Sequence, residues 1–229
     1  MMTITTADPR RSADMTAVQP PEPPADCQRC PRLADFRAHN RARHPDFLNA
    51  PVPSFGGLDA QLLVVGLAPG LKGANRTGRP FTGDWAGDLL YPTLVDVGFA
   101  RGTFRADPGD GLELIDCRIT NAVKCVPPEN KPTTEEIKTC RAAFLEGEIA
   151  AMGHLRAVLA LGKIAHDTLL VARGLRQSHY RFAHGAWHAL PDGLILADSY
   201  HCSRYNTNTG RLTPAMFQEV LGRLARELA

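Results

Sequence analysis

A carboxylate, an aromatic ring and a histidine stand in this chain at places where such side chains can act on a bound molecule. The run Gly66-Leu67-Ala68-Pro69-Gly70-Leu71-Lys72-Gly73-Ala74-Asn75-Arg76-Thr77-Gly78-Arg79-Pro80-Phe81-Thr82-Gly83-Asp84 carries five glycines and two prolines and follows the apolar segment Leu62-Leu63-Val64-Val65. Glycine lets backbone come closer to a ligand than any residue with a Cβ. Such a loop holds a flat molecule by stacking and main-chain contacts, with Phe81 as the ring and Asp84 kept for proton chemistry. His201, within Ser199-Tyr200-His201-Cys202-Ser203, places an imidazole at the end of a second apolar run. Asn121 closes a third and offers an amide with both donor and acceptor.

Four cysteines suggest a different chemistry. Cys27-Gln28-Arg29-Cys30 is a C-x2-C pair, and Cys125 and Cys140 form a C-x14-C pair beside Pro127, Pro128 and Pro132. Two close thiolates joined by two from elsewhere make a sulfur tetrahedron that suits zinc or an iron–sulfur cluster. The spacing alone does not separate the two. Cys117 reads as a small core residue, and Cys202 has no role that its position assigns.

Elements must hold these groups in place. Branched apolar runs over 62–66, 115–123, 157–161 and 194–198 read as strands. Helical patterns over 85–97, 134–152 and 164–173 separate them, with further helices over 26–44 and 214–228. Thr133 and Glu136 form a capping box behind Pro132, and Thr213 before Pro214 marks the last helix start. The alternation predicts an α/β fold with a parallel sheet covered on both faces. Ligands of such sheets sit beyond the carboxyl ends of the strands. The glycine loop, the segment from Asn121 through Asn130, and Ser199-Tyr200-His201 each follow a strand, so they converge on one crevice.

At 229 residues, 44% hydrophobic and 22% charged, the chain has the make-up of one globular domain. Lys plus Arg number 26 against 24 Asp plus Glu, so the total charge neither favours nor excludes a polyanionic partner. Arg29, Arg32, Arg37, Arg41 and Arg43 crowd one segment, and Arg173, Arg176, His179, Arg181 and His184 another. Local basic patches attract polyanions even on a near-neutral protein, although solvated helix ends give the same pattern. No run reaches the ~18 apolar residues of a membrane span. Residues 1–25 are polar and proline-rich and read as a disordered tail, leaving 26–229 as a single domain. A cytoplasmic location is expected, where cysteines serve as ligands or buried thiols rather than disulfides.

With these pieces assembled, the chain resembles the uracil-DNA glycosylase superfamily, and within it family 5, the UDGb group, over roughly residues 26–229. Residues 66–84 look like the family's first motif, GLAP followed by GxNRTGRxFTGD. Residues 200–213 resemble its second, an H-x-S loop running into NTxTGRLT. Cys27, Cys30, Cys125 and Cys140 match the four cysteines that hold a [4Fe–4S] cluster in families 4 and 5. Ala68 stands where other branches place Asp, Glu or Asn, as in family 5, so the acid comes from elsewhere, and the resemblance implies Asp84.

The resemblance implies a three-layer sandwich around a four-stranded parallel sheet and a monomer that acts on DNA containing deaminated bases. The implied reaction flips uracil, and also hypoxanthine and related bases, out of the duplex and hydrolyses the N-glycosidic bond without nicking the strand. His201 would stabilise the departing base, Asp84 would position or activate water, and Asn130 would assist. Gly66, Ala68, Phe81 and Asn121 would form the base slot, with Phe81 stacking on the base and Asn121 reading its edge. Arg204, Tyr205 and Asn206 would enter the duplex as a wedge, with Ser203, Arg76 and Arg79 also on the DNA. Lys72 departs from the small-plus-histidine character of the family in that stretch and could contact phosphate; a lysine amine could also attack the sugar, but nothing near it in the sequence suggests a depressed pKa. Each assignment has a plainer reading: Asp84 as a helix cap, Phe81 as core, Asn130 as a turn residue, His201 as structural, and residues 204–206 as a surface loop. Two rival functions are a nucleotide-binding module and a metal-stabilised DNA-binding protein without catalysis. The glycine spacing fits neither G-x-x-x-x-G-K-[ST] nor G-x-G-x-x-G, which counts against the first.

Overall fold

A computed structural model describes residue 20 and residues 22–229. Most of the expected tail lies outside the described residues. Its last part is held against the body, with Glu22 3.6 Å from Arg118 and Cys27 N–H donating to the Pro24 carbonyl at 2.9 Å.

Helix α1 (Pro31–Arg43) starts later than the pattern 26–44 because Cys30 is its cap and Pro31 its first residue, where no N–H is required. Strand β1 (Leu62–Gly66) leads through the glycine loop to the short helix α2 (Ala74–Thr77) and then to α3 (Trp85–Asp96). A small hairpin of β2 (Ala100–Arg101) and β3 (Glu113–Leu114) precedes β4 (Cys117–Asn121). The expected strand 115–123 is thus shorter, since Asp116 takes a left-handed φ of 50° that breaks extended backbone.

The expected helix 134–152 is α4 (Thr134–Cys140) and α5 (Glu146–Ala151), joined without a break by a wide turn over Arg141–Leu145. Its capping box is present: Thr133 accepts from Glu136 N–H at 3.3 Å and Glu136 accepts from Thr133 N–H at 2.7 Å. Then come β5 (Ala157–Leu161), α6 (Lys163–Ala172), β6 (Trp187–Ala189), β7 (Ile195–Ser199), α7 (Arg204–Asn208) and α8 (Pro214–Leu228).

The sheet runs β4-β1-β5-β7-β6, with the first four strands parallel and β6 antiparallel at the edge. The four expected strands are all there. The fifth was not expected, because three residues, Trp-His-Ala, carry no alternating signal.

Every residue of β1, β4 and β5 is buried, as strands covered on both faces must be. Alternate residues of β1 serve opposite layers. Leu62 and Val64 pack with Leu90, Leu94, Phe217 and Leu221 of α3 and α8, and Leu63 and Val65 pack with Ile149, Leu169 and Leu170 of α5 and α6. Cys117 and Cys202 both lie in the first of these cores. Among the described residues, no helix is long and apolar enough to cross a membrane.

Candidate active site

The carboxyl end of β1 fixes the first contact. Gly66 is the register partner of Asn121 on β4. A Cβ at Gly66 would overlap both Asn121 Oδ1 and the Phe81 ring, so glycine alone lets the three touch. Phe81 holds a left-handed φ of 53° and is 6% exposed. A β-region residue does not adopt that conformation without support. Support comes from either side: Tyr91 Oη donates to the Pro80 carbonyl at 2.6 Å, and Thr77 Oγ1 donates to the Thr82 carbonyl at 2.9 Å.

Asp84 is the N-cap of α3, its Oδ1 accepting from Ala86 N–H at 3.2 Å. Its other oxygen lies over Gly73, where a Cβ would collide with it. Burial raises the Asp84 pKa above the ordinary aspartate value of 3.8, against the opposing backbone N–H groups of Ala86 and Gly87. The cap therefore occupies one oxygen and leaves the other outside it.

His201 sits 6.0 Å from Phe81, centroid to centroid, with the rings tilted by 35°. Asn206 Nδ2 donates to the His201 carbonyl at 2.8 Å, and fully buried Cys202 anchors the next position in the core. His201 Nδ1 is buried without a hydrogen-bond partner among the described residues. Burial lowers its pKa to about 4, so the ring is neutral at pH 7.

These groups share one cavity of about 590 Å³, lined by Ala68, Phe81, Asp84, Asn121, Asn130 and His201 among others. Asn130 belongs to its exposed rim, where Glu129 and Asn130 both take left-handed φ, of 55° and 56°. That is the turn geometry Asn tolerates. Lys72 and Ser203 also line the cavity. Ser203 caps α7, accepting from Asn206 N–H at 3.4 Å. Ser203 and Asn206 thus shape the loop from within, while Arg204 and Tyr205 project, the latter 72% exposed. Arg76 is exposed, its Nε donating to the Lys72 carbonyl at 2.9 Å.

Arg79 is a correction. It is 5% exposed, both of its Nη groups reach Asp110 at 2.8 Å, and its guanidinium lies 5.2–5.6 Å from the Phe55, Tyr91 and Phe104 ring centres. It cannot touch DNA from there. The paired Arg79 holds the Asp110 carboxyl well below the usual carboxylate range.

Sequence reasoning missed Trp85. It is 46% exposed and lines the cavity, its Nε1 donates to Thr207 Oγ1 at 2.7 Å, and Arg204 lies 5.5 Å over its ring. The available signal was an aromatic directly after the Asp84 cap, at the start of the helical pattern.

The four cysteines meet in a pocket bounded also by Leu33, Val123 and Phe144. Lys124 N–H donates to Cys140 Sγ at 3.3 Å and Arg37 Nη1 to Cys125 Sγ at 3.6 Å. Burial pushes the Cys125 and Cys140 thiols up to about 12 and 11. Of the basic residues crowded into 29–43, Arg29, Arg32, Arg41 and Arg43 stay exposed, and Arg37 does not. Arg37 is 3% exposed and donates to the Cys27 carbonyl at 2.7 Å. Arg32 is held by Glu136 and Arg41 by Asp26, each at 2.7 Å.

A parallel α/β sheet whose strand ends carry a glycine-lined slot, a ring, a half-buried acid and a neutral imidazole has its cavity where ligand-binding α/β proteins have theirs. The chain belongs to the uracil DNA glycosylase superfamily, whose sequence model matches residues 53–225. Within it the chain groups with type-5 members. It is 48% identical to the type-5 uracil-DNA glycosylase of Thermus thermophilus over 200 residues, which is 85% of this chain and 90% of that protein. The type-5 uracil-DNA glycosylase of Mycobacterium leprae is 42% identical over 211 residues, covering 89% and 91%. That of Pyrobaculum aerophilum is 40% identical over 205 residues, covering 88% of each.

Proposed function

We propose that this protein is a monofunctional, monomeric DNA-repair glycosylase. It takes uracil, and also hypoxanthine and related deaminated bases, out of the helix and hydrolyses the N-glycosidic bond. The observation that carries this reading is the convergence of Asp84, neutral His201, Phe81 and Asn121 on one cavity.

As the bond breaks, positive charge grows on the sugar and negative charge on the base. A neutral imidazole donates a hydrogen bond to the developing anion without a proton having first to be taken up, and in a sealed site that bond is stronger than in water. The Asp84 oxygen turned away from the cap accepts a proton from water as that water adds to the sugar carbon. The base departs with the bonding electron pair, leaving an abasic site. Phe81 stacks on the base, and Asn121 meets its edge. Ala68 offers backbone and no polar filter, which leaves room for the second ring of hypoxanthine. Asn130 reaches over from the rim, and Arg76, Lys72, Arg204 and Tyr205 meet the duplex around the opening.

Cys27, Cys30, Cys125 and Cys140 fit a [4Fe–4S] cluster. The donor set is four sulfurs in an apolar pocket. Among the described residues, no three of these sulfurs come within 4.8 Å of one another. One tetrahedral zinc with ~2.3 Å bonds needs about 3.8 Å between sulfurs, so the spread suits a larger group. When bound, the cluster would supply cohesion, tying α1 to the loop between β4 and α4.

The test is incubation of purified protein with uracil-containing and hypoxanthine-containing duplexes of matched sequence, followed by alkali. Strand scission at the modified base is expected for both. Binding without scission at uracil would establish a non-catalytic binder. Scission before alkali would establish lyase chemistry.

A further inference from the structure

Away from the cavity, one set of ligating side chains has no assigned work. His166 of α6, His188 of β6 and Asp198 of β7 each bring a nitrogen or carboxylate oxygen to within 4.8 Å of the others. His166 and Asp198 are 0% exposed. The His188 side chain is 17% exposed and forms the side open to solvent. The rings of Phe182 and Tyr180 stand edge-on to His166 and His188, at 5.6 and 5.7 Å.

The hydrogen bonds fix how these groups face each other. His166 Nε2 is 3.0 Å from the Tyr180 carbonyl, and a carbonyl only accepts, so Nε2 carries the hydrogen. In the neutral ring Nδ1 then turns a lone pair toward Asp198 Oδ1, 2.7 Å away. Two lone pairs so close require a positive centre. Meanwhile Asp198 Oδ2 and His188 Nε2 lie 3.4 Å apart, both buried and both without a hydrogen-bond partner among the described residues. A proton on His166 Nδ1 answers the first contact and leaves those two atoms unmet. A divalent cation answers all of them once the 2.7 Å pair opens to the ~3.3 Å that two ligands of a tetrahedral ion with ~2.0 Å bonds keep.

We infer that His166, His188 and Asp198 form a binding site for a divalent transition-metal ion. Two imidazoles and one carboxylate with an open fourth position match zinc. The Tyr180 carbonyl supplies the outer support such ligands need, holding His166 through its distal N–H so that Nδ1 faces the ion. Bound there, the ion ties the edge strand β6 and helix α6 to β7 at Asp198, three residues before His201.

The experiment uses the full chain as purified, with whatever its cysteines hold, dialysed against zinc ion and counted by elemental analysis. Parent and His188→Gln are compared, so zinc taken by the cysteines is common to both. The parent should retain one zinc more than the variant, and added zinc should raise the melting temperature of the parent but not that of the variant. Equal zinc in the two would overturn the site and leave an imidazolium–carboxylate pair. Should His188→Gln not fold, cobalt(II) titration of the parent decides. Visible d–d bands without thiolate charge-transfer intensity support a nitrogen–oxygen site, and their absence rejects it. Base release enters neither readout, so the outcome is independent of the glycosylase reading.

Discussion

Asp84 gives one oxygen to the helix cap and turns the other away from it, and substitution separates the cap from the proposed chemistry. Asn caps a helix as well as Asp, so Asp84→Asn should keep stability within a few tenths of a kcal/mol. The same change removes the proton acceptor and should lower single-turnover uracil release by roughly 10²–10⁴-fold. Asp84→Ala adds a cap loss of about 1 kcal/mol, seen in thermal melts. An Asn variant of parental speed would leave Asp84 as a cap alone.

His201 makes a second prediction at this scale. Its folded pKa of about 4 lies below the ordinary 6.5. Between those values the unfolded chain binds more protons, so stability is fully present above pH 6.5 and falls as pH drops toward 4. Melts across this window should lose part of that slope in His201→Ala, whose base release should also drop by roughly 10²–10³-fold. A slope unchanged by the substitution would show that His201 is not the buried titrating group. The placement of Asp84 and His201 on one cavity was legible in the sequence because each belongs to a motif that follows a strand. Arg79 was misread because its partner Asp110 lies 31 residues away, and no local pattern announces an ion pair over that distance.

At the scale of elements, the site depends on how closely β1 and β4 approach at their carboxyl ends. Gly66→Ala should leave the far-ultraviolet circular dichroism unchanged and abolish measurable uracil release, because the new Cβ occupies the contact between Asn121 and Phe81. Retained release would mean the slot can widen, and that its closeness is not what selects the ligand.

The cysteines make the element-scale counterpart on α1. With Arg32 and Arg41 tied to Glu136 and Asp26, α1 is fastened at several points, yet its start rests on Cys27 and Cys30. Cys125→Ser should lose the brown colour with absorbance near ~400 nm expected of an iron–sulfur protein, lower the melting temperature and admit protease cleavage within residues 26–44. Protection equal to the parent would show the other contacts suffice. Strands β1 and β5 were readable because buried parallel strands are continuous apolar runs, while β4 and β7 carried a weaker signal, interrupted by Arg118, Thr120 and Asp198. The edge strand β6 was not, since three residues with a tryptophan and a histidine carry no period. The grouping of His166, His188 and Asp198 was equally hidden, being made by packing three elements together.

For the molecule as a whole, the question is how a protein of net charge +2 holds a polyanion. Three of its arginines are engaged inside: Arg79 with Asp110, Arg118 with Glu148 and Arg37 with the Cys27 carbonyl. Those exposed near the opening are few, notably Arg76 and Arg204 with Lys72 beside them. Few phosphate contacts mean a shallow dependence of binding on salt, since each contact contributes about 0.9 to the slope of log K against log salt on duplex DNA. Arg204→Ala should therefore lower that slope by about 0.9 and weaken duplex binding whatever the base. Arg79→Ala is the contrasting case. It leaves Asp110 enclosed without its partner, and breaking such a buried pair costs about 3–5 kcal/mol, but it should not alter the salt slope of the protein that remains folded. Fluorescence anisotropy on a duplex between 50 and 200 mM salt, about the range over which such slopes are read, compares the two directly. If Arg79→Ala reduced the slope and Arg204→Ala did not, the duplex would have to lie on the Asp110 side of the molecule, away from the opening framed by Trp85 and Arg204.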